Sequence, residues 1–237
     1  MAEPYFNLQP GVTLGRNYFV VEFLGAGWEG EVYKVAERRT GLLRAAKIFY
    51  EARRLSDRQM QRYVRKLYRL RNCTLITQYH HRDVARVGRN QVEILVSDLA
   101  DGEMLSAFLK RQLRKRLIPF EALHLLYALA AGMEPIHFLG EYHGDVHSDN
   151  ILVKRVGLGF EVRLLDFFDL GRPTREKIQY DVFDLISLLY EVIGGAYGYT
   201  LVGPEIRWIV SGRKHTLIRK KFKTAGQLRI ALENMVW

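Results

Sequence analysis

Between residues 141 and 153 the chain reads EYHGDVHSDNILV, which places His143, Asp145, His147, Asp149 and Asn150 within eight positions. A long apolar, helix-like run precedes this stretch and a run of strand formers follows it, so buried elements would carry the polar side chains to one place. Other groups could join them. Gly25, Gly27 and Gly30 punctuate LGAGWEGEVYKV, with Val32 after them; Lys47 lies within the apolar RAAKIFY, and Asp166 follows a strand-like run in RLLDFFDLG. Phosphoryl transfer requires a divalent cation on oxygen ligands, a positive charge on the phosphates and a carboxylate to orient the acceptor hydroxyl. All three requirements have candidates in this set, in a workable order along the chain. The glycines alone are weak, because a dinucleotide-binding turn must open a helix and EVYKVAERR is strand-like. A glycine-rich flap over phosphates remains. A lysine on an isolated strand is most simply a solvated edge charge, and it is the company Lys47 keeps that gives it meaning.

Short strands are expected at 18–24, 31–36, 42–49 and 91–97, with turns at Gly25 to Gly30 and at Gly41. One helix, about 52 to 71, interrupts them. Its Met60, Tyr63, Val64, Leu67 and Leu70 form one face, and Arg58, Arg62, Arg65, Lys66 and Arg69 the other, as for an amphipathic helix packed on a sheet. After DLADG the pattern turns helical, through EMLSAFLKRQLRKRL and then FEALHLLYALAAGMEPIHFLG, where Leu125, Leu126, Leu129, Met133 and Ile136 make a buried stripe. NILVKRV and FEVRLLDF read as a small strand pair, and DVFDLISLLYEVIGG as a core helix ended by glycines. The expectation is a strand-rich front lobe, a short connector and a helical back lobe, with the polar cluster facing the junction.

The chain has 237 residues, 48% of them hydrophobic, enough for a substantial core in one or two domains. Thirty-six Lys and Arg against 26 Asp and Glu leave a net charge of +10, which suits an acidic partner without choosing one. Arg53, Arg54, Arg58, Arg62, Arg65, Lys66, Arg69 and Arg71 crowd one helix with only Asp57 opposing them, and 110–116 and 213–223 add more. Solvated helix faces are the plain reading of such runs; an acidic partner docking on 53–71 is the sharper one. Nucleic acid is not expected as the primary ligand, since no binding motif and little aromatic interleaving accompany the charge. The lone Cys73 excludes a disulfide framework and a cysteine-built metal site, which fits a reducing, cytoplasmic setting. No signal peptide, membrane insertion or membrane-spanning run is expected.

Over roughly residues 17 to 195 the chain resembles the protein kinase family. GAGWEGEV is similar to its glycine-rich loop, AAK to its strand lysine, LVSDLADGEML to its hinge, HGDVHSDN to its catalytic loop, LDFFD to its metal-binding segment and YDVFDLISLLYEVIGG to its long core helix, which begins with a buried acid, here Asp181. The resemblance implies an α+β, bilobal protein-kinase-like fold, with an N-lobe at 1–97 and a reduced helical C-lobe at 98–237. It implies ATP and Mg²⁺ as cofactors. Gly25, Gly27, Gly30 and Val32 would border the nucleotide, Lys47 would contact its α- and β-phosphates, and backbone groups from Asp98 to Ala100 would pair with adenine. Asp145 would be the catalytic base or hydroxyl-positioning carboxylate, His147 would stand near the γ-phosphate, and Asn150 and Asp166 would hold Mg²⁺. His143 reads as a packed residue that orders the loop.

Four departures qualify the resemblance. No Glu occurs between Ala52 and Val92, so the usual helix partner for the strand lysine is absent, and Gln59, Gln61, Glu29 or Glu31 could substitute. HGD lacks the arginine that would receive a phosphorylated activation loop. HGDVHSDN is also similar to the loop of aminoglycoside and choline kinases, which have a histidine where His147 stands. Only 15 positions separate Asp166 from Asp181, too few for the usual peptide platform; Phe168 replaces a glycine there, and Asp169 could be an extra carboxylate. The favoured reading is transfer of a γ-phosphoryl group to a protein Ser/Thr hydroxyl. A small-molecule kinase and a non-catalytic binding scaffold are the alternatives.

Overall fold

The computed structural model describes residues 5–235 except 54, 89, 168–170, 214–216, 218 and 219. Phe168, Asp169, Arg54 and part of the basic run 213–223 thus lie outside the described residues. The chain divides into two compact units, one of 1–71 with 77–100 and one of 72–76 with 101–237.

The first unit is built on a six-stranded antiparallel sheet. Its strands are β1 (Thr13–Leu14), β2 (Tyr18–Ala26), β3 (Gly30–Glu37), β4 (Leu43–Phe49), β5 (Tyr79–Val87) and β6 (Asn90–Asp98). They run in the order β1-β2-β3-β4-β6-β5. Successive side chains alternate between faces, so register decides what each face presents. Tyr33 opposes Ala46, which opposes Val96, and with Val20, Val35, Ile48 and Ile94 these fill a hydrophobic core on one face. Val32 opposes Lys47, which opposes Leu95, on the other face. Helix α1 (Asp57–Arg69) starts at Ser56, whose hydroxyl accepts from Gln59 N while Gln59 returns a bond to Ser56 N, a reciprocal cap that satisfies two end amides. Met60, Tyr63 and Leu67 are buried, as the periodicity demands.

Three expectations in this unit change. Lys66 belongs to the buried side of α1, not to its basic face, because it lies one turn from both Tyr63 and Leu70. Arg58, Arg62, Arg65 and Arg69 are exposed as expected. The helix begins only at Asp57, after a single 3₁₀ turn at Glu51–Arg53. Strand β5 was not expected at all: YHHRDVARV carries one buried residue, Ala85, and becomes a strand by pairing with β6 across a turn in which Gly88 has φ 60°.

In the second unit, a three-stranded sheet of β7 (Glu103–Met104), β8 (Ile151–Val156) and β9 (Gly159–Leu164) accompanies helices α2 (Leu105–Arg111), α3 (Pro119–Phe138), α4 (Arg175–Val192), α5 (Gly195–Leu201), α6 (Pro204–Val210) and α7 (Ala225–Glu233). Leu125, Leu126, Leu129, Met133 and Ile136 of α3 are all buried, and α3 packs on α4, α7 and β9. Pro119 opens α3, where its missing N–H costs nothing, and Gly140 in the left-handed region closes it. Helix α2 is shorter than the pattern suggests. Lys110 and Arg111 would face Arg114 and Lys115 one turn on, a like-charge spacing that opposes helix, and Arg114 and Lys115 instead take φ of 57° and 53°. Helix α4 starts six residues before Asp181, capped by Thr174, and ends before Gly194.

Gly30 is the glycine that the sheet itself requires. A Cβ there would lie 1.9 Å from the Ile48 carbonyl oxygen, whereas one at Gly25 or Gly27 would meet nothing within 4 Å. Gly30→Ala is expected to cost about 2–3 kcal/mol and Gly27→Ala less than about 0.5, as read from denaturant midpoints. Equal losses would mean that the β3–β4 approach is looser than described.

Candidate active site

The first unit carries the residues expected to meet phosphates. Gly25 and Ala26 still pair with Val32 and Glu31, and the turn closes through Gly27 N, which donates to Gly30 O at 2.9 Å. Neither a positive φ nor a neighbouring atom demands glycine at 25 or 27. Bare backbone without an internal reason suits a loop that must approach something else closely. Lys47 projects from the central strand β4, opposite Val32, and its Nζ lies 2.6 Å from Glu29 Oε2. Both side chains are largely enclosed, at 12% and 20% exposure, so the pair is partly withdrawn from solvent screening.

Glu29 is therefore the carboxylate that takes the place of the missing helix glutamate. Glu31 cannot serve, because it projects to the opposite face of β3. There it is fully buried, accepting from the Tyr33 hydroxyl at 2.7 Å and from the amides of Tyr5 and Phe6. Burial and this bond push the Tyr33 phenol well above its ordinary range. Gln59 is spent in the cap of α1, and Gln61 is exposed. Asp98 ends β6 with its carboxylate 2.8 Å from Arg44 Nη1 and 2.6 Å from His80 Nε2, while its N–H donates to Gln78 O. Leu99 and Ala100 follow outside the ladder.

The second unit carries the polar cluster, and one buried carboxylate shapes it. Asp181, at 0% exposure, accepts from His143 N at 2.8 Å and Gly144 N at 2.7 Å. His137 Nε2 lies 3.1 Å from the same carboxylate; its Nδ1 accepts from Ala225 N, so the ring donates through Nε2. His143 is buried edge-on to Phe167, accepts from Asp145 N through Nδ1 and donates through Nε2 to Leu165 O at 2.7 Å. Both of its ring nitrogens are thus committed to backbone, as expected for a residue that orders the loop.

Asp145 is left outside this packing, with a side chain 70% exposed. Asn150 Nδ2 donates to Asp145 O at 3.0 Å and to Oδ2 at 3.1 Å, and His147 Nε2 lies 3.4 Å from the same Oδ2. His147 Nδ1 accepts from Asp149 N, which turns the ring so that Nε2 faces Asp145. Leu165 N donates to Asn150 O at 2.9 Å, so Asp166 follows directly on the strand that Asn150 anchors. Asp166 has φ 60°, a left-handed conformation that Asp tolerates better than most residues. Asp145, His147 and Asn150 are thus brought together, with Asp166 tied to them through one backbone bond.

A family model of the protein kinase domain matches residues 18–188. The chain belongs to the protein kinase family. It is a protein-kinase-like phosphotransferase domain with an α+β kinase fold. It is 26% identical over 160 residues to the serine/threonine-protein kinase PknA of Mycobacterium tuberculosis, covering 66% of this chain and 36% of that protein. Against human myotonin-protein kinase it is 27% identical over 224 residues, covering 89% and 34%. The chain spans only about a third of the length of these curated relatives. The PknI kinase domain of Mycobacterium tuberculosis superposes with a TM-score of 0.69 at 21% identity, covering 95% of this chain and 98% of that one. A double mutant of that domain gives 0.74 at 22% identity, with the same coverage. At such identities these structures bear on the fold.

Asp184 escaped the sequence reading of this kinase domain. It stands on α4 one turn after Asp181, half-buried, and accepts from the N–H of Val146, inside the catalytic loop. Burial first, and then the neighbouring charge of Asp181, raise its carboxyl from 3.8 to about 6. Its i+3 spacing from Asp181 was the available signal, and nothing in the sequence told which acid would face the loop.

Two measurements follow from this network. Asp181→Ala leaves the buried His143 N–H, the Gly144 N–H and His137 without their acceptor, and is expected to cost about 3–5 kcal/mol in denaturation. For Asp184 the folded state holds the proton more tightly than the unfolded chain, so its contribution is favourable below about pH 4 and is lost as pH rises through about 6. Asp184→Asn keeps an oxygen for Val146 N–H, and is expected to be more stable than the parent by about 1 kcal/mol at pH 7.5, after allowance for solvent screening, and equal to it near pH 4. Melting curves at the two pH values check this, and a difference that ignores pH would place the proton elsewhere.

Proposed function

We propose that this domain transfers the γ-phosphoryl group of ATP, with Mg²⁺, to the hydroxyl of a protein Ser or Thr residue. The observation that carries the reading is the state of Asn150. Its amide N–H groups are held by Asp145, and among the described residues no hydrogen bond uses its Oδ1. An amide oxygen presented in this way, with the Asp166 carboxylate one backbone bond removed, is the hard oxygen donor set that suits Mg²⁺. A bound Mg²⁺ would neutralise phosphate charge.

The chain's own residues would act as follows. Lys47 would hold the nucleotide phosphates, with the backbone of Gly25 and Gly27 close above them and Gly30 keeping the loop against β4. Val32 would contact the base. Base pairing would fall to Leu99 and Ala100, since Asp98 N–H is engaged by Gln78. Asp145, exposed and steered by Asn150 and His147, would orient the acceptor hydroxyl and take its proton. His143 and Asp181 would fix the loop and touch no reactant.

The names of the relatives, serine/threonine-protein kinase among them, support a protein acceptor. A small-molecule acceptor is the second reading, favoured by one observation: α4 begins at Arg175, nine residues after Asp166, which leaves little chain for a peptide platform. An acidic partner on α1 is supported by exposed Arg58, Arg62 and Arg65, which no carboxylate pairs with among the described residues. Among those residues no helix is long and apolar enough to cross a membrane. A cytoplasmic setting fits the single, buried Cys73.

Titration calorimetry with ATP, with and without Mg²⁺, on the parent and Asp166→Ala, tests the reading, followed by phosphate transfer to protein and to small hydroxyl acceptors. Magnesium-dependent binding that falls by at least about ten-fold in the variant, with phosphoprotein formed by the parent, is expected. Phosphate appearing only on small acceptors would select the second reading. Absence of nucleotide binding under every condition would leave a scaffold that has kept the motifs without the chemistry.

A further inference from the structure

The flap and the strand lysine are the two elements assigned to the nucleotide phosphates, and in this structure they hold each other. Glu29 lies at the tip of the turn between β2 and β3, and its carboxylate accepts from Lys47 Nζ at 2.6 Å. We propose that Glu29 is a specificity-determining residue of the nucleotide site: it competes with the phosphates for Lys47, so that only a ligand carrying enough negative charge displaces it. The inference rests on the nucleotide reading above.

Geometry supports the competition. A ligand that touches both the flap and Lys47 must lie where the Glu29 carboxylate now makes its bond. A carboxylate and a phosphate oxygen are alike in charge and in the hydrogen bonds they accept from an ammonium, so at short range each repels the other and weakens its hold on Lys47. The tip is held in this position at more than one point. Tyr50 N donates to Glu29 O at 2.9 Å, and the Arg53 guanidinium stacks 3.7 Å over the ring of Trp28, which is 76% exposed. The means of release are also present. Gly25 and Gly27 both precede the tip, on the β2 side of the flap, with open space where a Cβ would be, so the backbone can turn there without meeting its own protein.

Competition differs from a merely supportive role in what it predicts for ligands with and without phosphates. A residue that only shapes the flap alters every ligand of the site, whereas a competitor for Lys47 alters only those that need the lysine. It also predicts that the effect of Glu29 exists through Lys47 and disappears without it.

The test is titration of ATP, and of adenosine as a ligand without phosphates, into the parent, Glu29→Gln, Glu29→Ala, Lys47→Met and the double variant Glu29→Gln/Lys47→Met. ATP is expected to bind Glu29→Gln and Glu29→Ala about five-fold tighter than the parent, the size of a pair only partly withdrawn from water, with adenosine unchanged. In the Lys47→Met background the Glu29→Gln change is expected to vanish. Three results would overturn the proposal while leaving the nucleotide reading intact: ATP affinity unchanged or weaker without Glu29, adenosine shifting in step with ATP, or the gain persisting without Lys47. ATP binding to none of the five proteins would sink the nucleotide reading, and this inference with it.

Discussion

The arrangement of the second unit depends on a carboxylate that touches no solvent. Asp181 faces two consecutive backbone amides of the catalytic loop and one histidine, all from within the protein. A buried charge is tolerable only where donors replace its water, and the replacement here fixes the loop at His143 and Gly144. From that anchor the rest follows in sequence. His143 is pinned between Asp145 N and Leu165 O, which ties the loop to the end of β9. Leu165 N in turn reaches Asn150 O, and the Asn150 amide reaches Asp145. Asp145 is thereby held at its backbone while its side chain remains largely exposed. The histidines play structural parts in this chain of bonds, except His147, whose free nitrogen is turned on Asp145.

In the first unit the alternation of side chains across a strand plays the corresponding organising part. Glu29, Glu31 and Tyr33 are close in sequence yet serve different faces. Glu31 and Tyr33 go with the apolar core and receive the incoming segment at Tyr5 and Phe6. Val32 goes with Lys47. The turn releases Glu29 from this alternation, so the residue able to reach Lys47 is the one whose backbone is no longer in the ladder. Glu31 could not do so without shifting register and turning the core outward.

Where side chains repeat strongly, the sequence made the fold readable. The stripe from Leu125 to Ile136 and the face of Met60, Tyr63 and Leu67 are burial patterns that any packing of those helices must honour. The expectation that Lys47 needs an unusual partner came from the family resemblance together with the absence of any Glu between Ala52 and Val92, and Glu29 was among the candidates. What could not be read was decided by neighbours. Strand β5 has too few apolar residues to announce itself and exists because β6 offers an edge. A continued α2 would set Arg114 and Lys115 one turn from Lys110 and Arg111, a like-charge spacing that a hydrophobic pattern does not register. Lys66 counts as a charge in sequence but is placed by its stem, which the helix turns inward. Asp184 is one acid among several on α4 until the loop is seen to lie against it.

The source of the lysine's counter-ion bears on which motions can disturb it. When a helix supplies the carboxylate, displacement of that helix breaks the pair. Here both partners belong to one sheet: Lys47 to β4, Glu29 to the turn leading into β3, and β3 and β4 are zipped from Gly30–Phe49 to Ala36–Leu43. Helix α1 brings Met60, Tyr63 and Leu67 against the sheet and no acid but Asp57, which is 3.1 Å from Arg82 instead. A shift of α1 would therefore change packing and the Asp57–Arg82–Glu93 contacts while leaving the Lys47–Glu29 bond intact. The motion that breaks that bond is one of the flap itself, hinged at glycines and opposed by the Trp28–Arg53 stack. In this chain Lys47 is coupled to the turn that carries Glu29, not to a carboxylate on α1.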